Sequence, residues 1–107
     1  MVPIEKVKDI INKYDTLEKE LASGKIDPKL FAKKSKEYSS LGNIISVARE
    51  FVNFESEKKD LVNMLQDKSN DQEIIDLAQK DLNELTDKKE KYENDLKVFL
   101  LPKDEDD

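Results

Sequence analysis

The chain contains no cysteine and no histidine in its 107 residues. Without cysteine it can form no disulfide bond, no thiolate metal site and no thiol nucleophile. Without histidine it also lacks a common zinc ligand and the side chain that most often transfers protons near neutral pH. Only carboxylates, lysines and tyrosines remain for chemistry. We therefore expect no metal, no cofactor and no small-molecule substrate, and we do not expect the isolated chain to be an enzyme.

Turn-forming residues are also scarce, with two glycines and three prolines in the whole chain. A β-sheet fold needs a turn about every dozen residues, so a β fold is excluded. No apolar run approaches the roughly 20 residues of a membrane span. Residues 1–6 (MVPIEK) mix apolar with charged residues, unlike a signal or transit peptide. The sequence thus predicts a cytoplasmic protein with no membrane segment.

Charge is what the chain has in abundance: 41% of its residues are charged and 36% are hydrophobic. This ratio suits helices that each bury one apolar stripe. The net charge is −6, and half of it comes from residues 103–107, which hold one lysine and four carboxylates. Nucleic-acid binding by the whole domain is not expected, but a local basic face is compatible with this charge.

Apolar residues spaced three or four apart predict three amphipathic helices, at about 3–23, 28–66 and 71–101. Pro3 suits the start of the first helix, and Gly24 can adopt the left-handed conformation that ends it. Asp27 and Pro28 are the capping residue and first helical residue expected for the second. The apolar stripe of the second helix contains Phe31, Tyr38, Leu41, Ile45, Ala48, Val52, Val62 and Leu65.

Gly42 lies within the second predicted helix, where a glycine costs about 1 kcal/mol relative to alanine. It marks a bend, a close helix crossing or a glycine that is merely tolerated, and the sequence leaves these readings open.

The segment 67–71 (DKSND) interrupts the apolar pattern and predicts a short turn. Ser69 and Asn70 precede Gln72 and Glu73 at the spacing of capping boxes. A connection this short makes the flanking helices antiparallel. The predicted fold is all-α: a long antiparallel helical hairpin, coiled-coil-like, with a shorter N-terminal helix packed on it.

Lysines at helical spacing provide the candidate functional residues. Lys29, Lys33 and Lys36 fall on one face of the second predicted helix, and such a face can bind RNA phosphates by charge alone. The alternative is an ordinary solvated face whose lysines pair with neighbouring acids. A second basic group on the third helix consists of Lys88, Lys89 and Lys91.

The aromatic residues mostly fall on the predicted buried stripes, where core packing explains them better than base stacking. Phe51 and Phe54 lie beside the stripe of the second helix. They are predicted either to form an exposed contact or to receive the first helix. Paired carboxylates are expected by chance in a chain this acidic, and we assign them no acid–base role.

Three segments resemble the N-terminal helical domain of the bacterial peptide chain release factor 1 family: residues 35–41 (SKEYSSL), 77–82 (LAQKDL) and 100–104 (LLPKD). Their order and spacing are also similar to those of the family. The resemblance implies a helical domain over residues 1–101, followed by an acidic connector at 102–107 that leads to further domains. The family's Gly-Gly-Gln loop and codon-reading motifs are absent from this chain.

For function, the resemblance implies ribosome binding during translation termination. The expected partners are protein and RNA of the large-subunit stalk base, together with the termination GTPase, and the expected state is a monomer. The competing hypothesis is a free-standing coiled-coil scaffold whose apolar stripes pair between chains. The regular apolar repeat of the third helix favours this hypothesis. An enzyme is the least favoured class, because no nucleophile–base pair is evident.

Overall fold

A computed structural model describes residues 2–101 of the chain. Its four helices are Ile4–Ser23 (α1), Pro28–Gly42 (α2), Ile45–Gln66 (α3) and Gln72–Leu100 (α4). No strand occurs between residues 2 and 101, which confirms the predicted all-α class. The predicted acidic connector at 102–107 lies outside the described residues, so the domain boundary stays a prediction. None of the four helices is long and apolar enough to cross a membrane.

The first helix begins and ends where the sequence predicts, and the second begins where the sequence predicts. α1 follows Pro3 and stops before Gly24, whose φ of 69° is left-handed. α2 has Pro28 as its first residue and Asp27 as its cap, and the backbone N–H of Lys29 donates to Oδ1 of Asp27 at 2.9 Å. These local signals succeed because they act on adjacent backbone groups that no distant residue has to supply.

The single helix predicted over 28–66 is wrong, because the chain breaks at Asn43 and Ile44 into α2 and α3. The N–H of Asn43 donates to the Ser40 carbonyl at 3.2 Å and that of Ile44 to the Leu41 carbonyl at 3.0 Å. Both bonds reach back three residues instead of four, which tightens the last turn and ends the α-helical ladder. Gly42 therefore marks a bend, but its φ is not positive.

The two halves of this predicted helix pack on different neighbours. α2 lies mainly on α1, whereas α3 packs along α4 and also contacts α1. Residues 57–61 of α3 share a groove with residues 81–88 of α4, and Phe54, earlier on α3, lies against Lys89, later on α4. Positions on one helix thus rise as positions on the other fall, so α3 and α4 run antiparallel.

The core lies where α1, α3 and the end of α4 meet. Leu96 and Val7 are fully buried there, and the packing is completed by Val2, Ile10, Leu17, Leu41, Ile44, Ala48 and Phe51. The outer part of the α3–α4 pair has no third helix against it, and the described chain extends 60 Å along its longest axis. Phe31, placed on the buried stripe by its spacing, is instead 52% exposed. It lies near the start of α2, which has only α1 as its main neighbour.

The turn between α3 and α4 differs from the predicted capping boxes. Asp71 is the N-terminal capping position of α4, and its side chain makes no capping hydrogen bond. Asp67 organises the turn instead, accepting from the Ser69 hydroxyl at 2.6 Å and the Ser69 N–H at 2.9 Å. These bonds favour the carboxylate and lower the pKa of Asp67. Asn70 donates to the Met64 carbonyl at 3.0 Å and so closes the end of α3.

Candidate functional site

The candidate site is the basic face of α2, which we define as Lys29, Lys33 and Lys36. All three side chains are exposed, and their spacing of four and three residues places them on one side of the helix. α2 contains four lysines and one glutamate, whereas α4 contains five lysines and eight carboxylates. Of the four described helices, α2 alone has more lysines than carboxylates.

None of the three lysines forms an ion pair with any residue in the range 2–101. Lys34, next to them in sequence, points instead toward α1 and pairs with Glu20. Beyond the basic face, Lys13 on α1 pairs with Glu37 on α2 at 2.8 Å. The charges on the inner side of α2 are thereby used to hold it on α1, and those of the basic face remain available to a partner.

Two tyrosines fix the orientation of α2 near its C-terminal end. The Tyr14 hydroxyl donates to the Tyr38 hydroxyl at 3.0 Å, and the Tyr38 hydroxyl donates to Oε2 of Glu18 at 3.3 Å. The hydrogen-bonded contact with Tyr14, then burial and the negative charge of Glu18, raise the pKa of Tyr38 to about 12. Burial and a neighbouring negative charge both disfavour a phenolate. Tyr38 therefore stays neutral and hydrogen-bonded over the ordinary pH range.

A groove of about 480 Å³ runs between α1 and α2 beside the basic face. Lys33 lines one side of it, Leu17 and Leu30 supply apolar surface, and the two interhelical ion pairs border it. Leu30 is 44% exposed. This exposure of Leu30 was not predicted from the sequence. The sequence signal that could have indicated it is spacing: Leu30 precedes Lys33 and Lys34 by three and four residues, so the three side chains lie on neighbouring parts of the helix surface.

The second basic group is not a single surface. Lys89 turns inward, with its Nζ 4.7 Å from the ring centroid of Phe54 and 3.7 Å from Oε1 of Glu93. Lys88 lines the groove between α3 and α4, while Lys91 is simply exposed. Lys89 interrupts the apolar residues that recur every three or four positions along α4, and its cation–π contact with Phe54 takes the place of an apolar contact there.

Phe51 and Phe54 receive the first helix, which is one of the two roles predicted for them. They are 8% and 4% exposed, and with Val2, Pro3 and Ile4 they line one small cavity. The alternative of an exposed aromatic contact at these positions is wrong. No group of three or more carboxylates close enough to hold a metal ion occurs in the part of the chain that the structure describes.

Comparison with known proteins identifies relatives along the whole chain. The PCRF domain family matches residues 10–107. Peptide chain release factor 1 of Pelagibacter ubique (strain HTCC1062) is 49% identical over 107 residues, which are all of this chain and 30% of that protein. Peptide chain release factor 1 of Rhizobium rhizogenes (strain K84 / ATCC BAA-868) is 34% identical over 103 residues, 96% of this chain and 28% of the relative.

The corresponding protein of Rickettsia bellii (strain OSU 85-389) is 34% identical over 98 residues, 92% of this chain and 27% of the relative. The chain therefore spans less than a third of the length of these curated relatives. No solved structure matches it. The resemblance drawn from the three sequence segments is confirmed, and the chain belongs to the PCRF domain family of peptide chain release factors.

Proposed function

We propose that this chain is the ribosome-docking helical domain of a release factor that acts in translation termination, in the cytoplasm. Membership of the family supports the role in translation termination. The basic face of α2 supports docking through contacts with RNA phosphates. Three exposed lysines without ion-pair partners among the described residues can neutralise RNA phosphates and release their counterions. The domain itself performs no reaction and serves to position the protein.

The docking target in this proposal is the stalk base of the large ribosomal subunit, contacted through its RNA and protein. The resemblance to release factor 1 supports this target and also suggests the termination GTPase as a further partner. RNA is the better match for the basic face because phosphate contacts need positive charge at helical spacing and no particular sequence.

The coiled-coil scaffold hypothesis requires the stripe of α4 to pair with another chain. Within this chain, however, Ala78 and Leu85 are already covered in the α3–α4 pair, and Leu96 is fully buried in the core. Little of the regular apolar repeat is left to form an intermolecular seam. This burial favours a monomeric docking domain.

The test is sedimentation of the chain with purified large subunits over a range of salt concentrations. The variant Lys29→Gln, Lys33→Gln, Lys36→Gln should weaken binding and reduce the salt slope by about one for each lysine that contacts a phosphate. A matched variant, Lys8→Gln, Lys80→Gln, Lys91→Gln, changes the net charge equally at exposed positions on α1 and α4. It should retain the wild-type slope.

Two results would contradict the proposal. One is a folded chain, helical by circular dichroism, that shows no binding at low salt. The other is equal weakening by both triple variants, because net charge and not the basic face of α2 would then explain the interaction.

A further inference from the structure

A second surface of opposite charge lies on the outer half of the α3–α4 pair, which we call the acidic groove. It is a depression of about 370 Å³ lined by Glu57, Asp60, Leu61, Asp81, Glu84, Leu85 and Lys88. Four carboxylates thus face one lysine. The floor is apolar, since Leu85 is 8% exposed and Leu61 is half-buried.

Apolar side chains extend the acidic groove toward the turn between the helices. On α3, Met64 follows Asp60 by four residues and is 39% exposed. On α4, Leu77 precedes Asp81 by four residues and is 59% exposed, and Ile74 lies one turn earlier at 39%. Residues three or four apart share a helix face, so these side chains continue the two walls of the groove.

The carboxylates of the groove are not satisfied within the described chain. Glu57, Asp60, Asp81 and Glu84 form no ion pair with another residue of 2–101. Like charges gathered over an apolar floor repel one another, and a cationic partner relieves that repulsion. They also repel phosphate, so this face is unsuited to RNA.

We propose that the acidic groove binds a basic amphipathic helix supplied by another protein. Its apolar side would lie over Leu61, Leu77 and Met64, and its lysines or arginines would meet the carboxylates on the two walls. This is the helix-in-groove mode of recognition, with charge complementarity setting orientation and partner choice. The proposal does not depend on the ribosome contact, which uses α2 on a different part of the molecule.

A second copy of the chain is a weaker candidate for the groove. Of the four described helices, α2 alone has more lysines than carboxylates, but its Leu41 is buried in the core and Tyr38 packs on Tyr14. Its exposed large apolar side chains are limited to the neighbouring Leu30 and Phe31, near the start of the helix, whereas the apolar surface of the groove runs from Met64 to Ile74. A second copy could therefore offer charge but little of the apolar side that the floor of the groove requires.

The experiment uses a fluorescent synthetic helix of leucines and lysines in amphipathic order, titrated with the 107-residue chain at low salt. Neutralising Asp60→Asn, Asp81→Asn and Glu84→Gln should weaken binding about tenfold, the combined effect of three solvent-accessible charge pairs. A control variant, Glu50→Gln, Asp87→Asn, Glu90→Gln, makes the same charge change at exposed positions outside the groove and should bind as the wild type does. Leu77→Ser should also weaken binding.

Three outcomes would overturn the proposal: no binding of the peptide to the folded chain, equal loss in the control variant, or occupation of the groove by a second copy. The last would appear as a concentration-dependent dimer that the substitutions Lys29→Gln, Lys33→Gln and Lys36→Gln abolish. The same lysine variant should leave peptide binding unchanged, so failure of the ribosome proposal and failure of this one are distinguishable.

Discussion

The rings of Tyr14 on α1 and Tyr38 on α2 stack with their centroids 4.6 Å apart and their planes 19° from parallel. Tyr14 also lies beneath the guanidinium of Arg49 on α3, at 5.8 Å, and Arg49 pairs with Asp15 at 3.0 Å. One aromatic residue thus joins three helices close to the break between α2 and α3. The direction in which the basic face of α2 points depends on this junction.

Neutralising Glu18 should lower the pKa of Tyr38. In the wild type that pKa is about 12, raised by the hydrogen-bonded contact with Tyr14, by burial and by the negative charge of Glu18, whose carboxylate also accepts a hydrogen bond from the Tyr38 hydroxyl. In Glu18→Gln we expect the phenolate of Tyr38 to appear at lower pH in an ultraviolet titration of tyrosine absorbance, because the negative charge beside it is removed. Glu50→Gln is the control, since Glu50 is exposed on α3 and is not a cause of the shift. An unchanged titration in Glu18→Gln would show that the Glu18 carboxylate does not hold the proton on Tyr38.

The same shift makes stability depend on alkaline pH. The folded-state pKa of Tyr38 lies above its unfolded value of about 10, so its contribution to stability is fully present below about pH 10. That contribution is lost as pH rises from about 10 toward 12, because the unfolded state releases its proton first. Urea unfolding of wild type and Tyr38→Phe across this window should show a smaller pH-dependent loss in the variant.

The contact between Lys89 and Phe54 should be measurable as a coupling free energy. Its test is a double-mutant cycle of Lys89→Met and Phe54→Leu, which cancels the separate loss of the Lys89–Glu93 ion pair. We expect a coupling of about 0.5–1 kcal/mol, as for a partly exposed cation–π pair. Lys58, whose Nζ is 6.0 Å from the same ring, should couple less. Equal coupling for both lysines would argue against a distance-dependent contact.

The two glycines should respond to alanine in opposite directions. Gly24 has a φ of 69°, where an L side chain is strained, so Gly24→Ala should destabilise the fold by roughly 1–2 kcal/mol. Gly42 has no positive φ, and an added Cβ would meet Cε1 of Tyr14 at an ordinary 3.7 Å. Gly42→Ala should therefore stabilise by about 0.4–1 kcal/mol. Denaturant unfolding of the two variants measures the sign of each change in the free energy of unfolding. Destabilisation by Gly42→Ala would mean that the bend needs glycine.

The contrast between these glycines also explains how far the sequence could predict the fold. Gly24 is a local signal, and the helix end that it predicts is found. The break after Gly42 arises because α2 packs on α1 while α3 packs on α4, and helical periodicity cannot report a change of neighbour. Phe31 keeps its place in the apolar pattern but is exposed, because the α4 partner expected for a continuous helix is absent from that half.

The candidate site, like the fold, was predictable where it depends on local spacing and not where it depends on contacts between helices. The spacing of Lys29, Lys33 and Lys36 was sufficient to place them on one exposed face. The inward turn of Lys34 toward Glu20 and of Lys89 toward Phe54 was not predictable, because each depends on a residue from another helix. The acidic groove was not predictable either, since its two walls come from segments at least twenty residues apart in the sequence.

The caps of α2 and α4 should differ in what they contribute. Asp27 accepts a hydrogen bond from the N–H of Lys29, so Asp27→Ala should cost about 1 kcal/mol of stability, and Asp27→Asn should recover most of it because the amide oxygen still accepts. Asp71 makes no such bond, so Asp71→Ala should lose only its favourable charge near the helix N-terminus, about 0.3–1 kcal/mol. Thermal or urea unfolding of the three variants measures the difference.

Because Asp27 fixes the turn of α2 that carries Lys29, its alanine variant should also weaken large-subunit binding, and the asparagine variant should not. No recovery of stability in Asp27→Asn relative to Asp27→Ala would show that the capping hydrogen bond does not set the stability of α2.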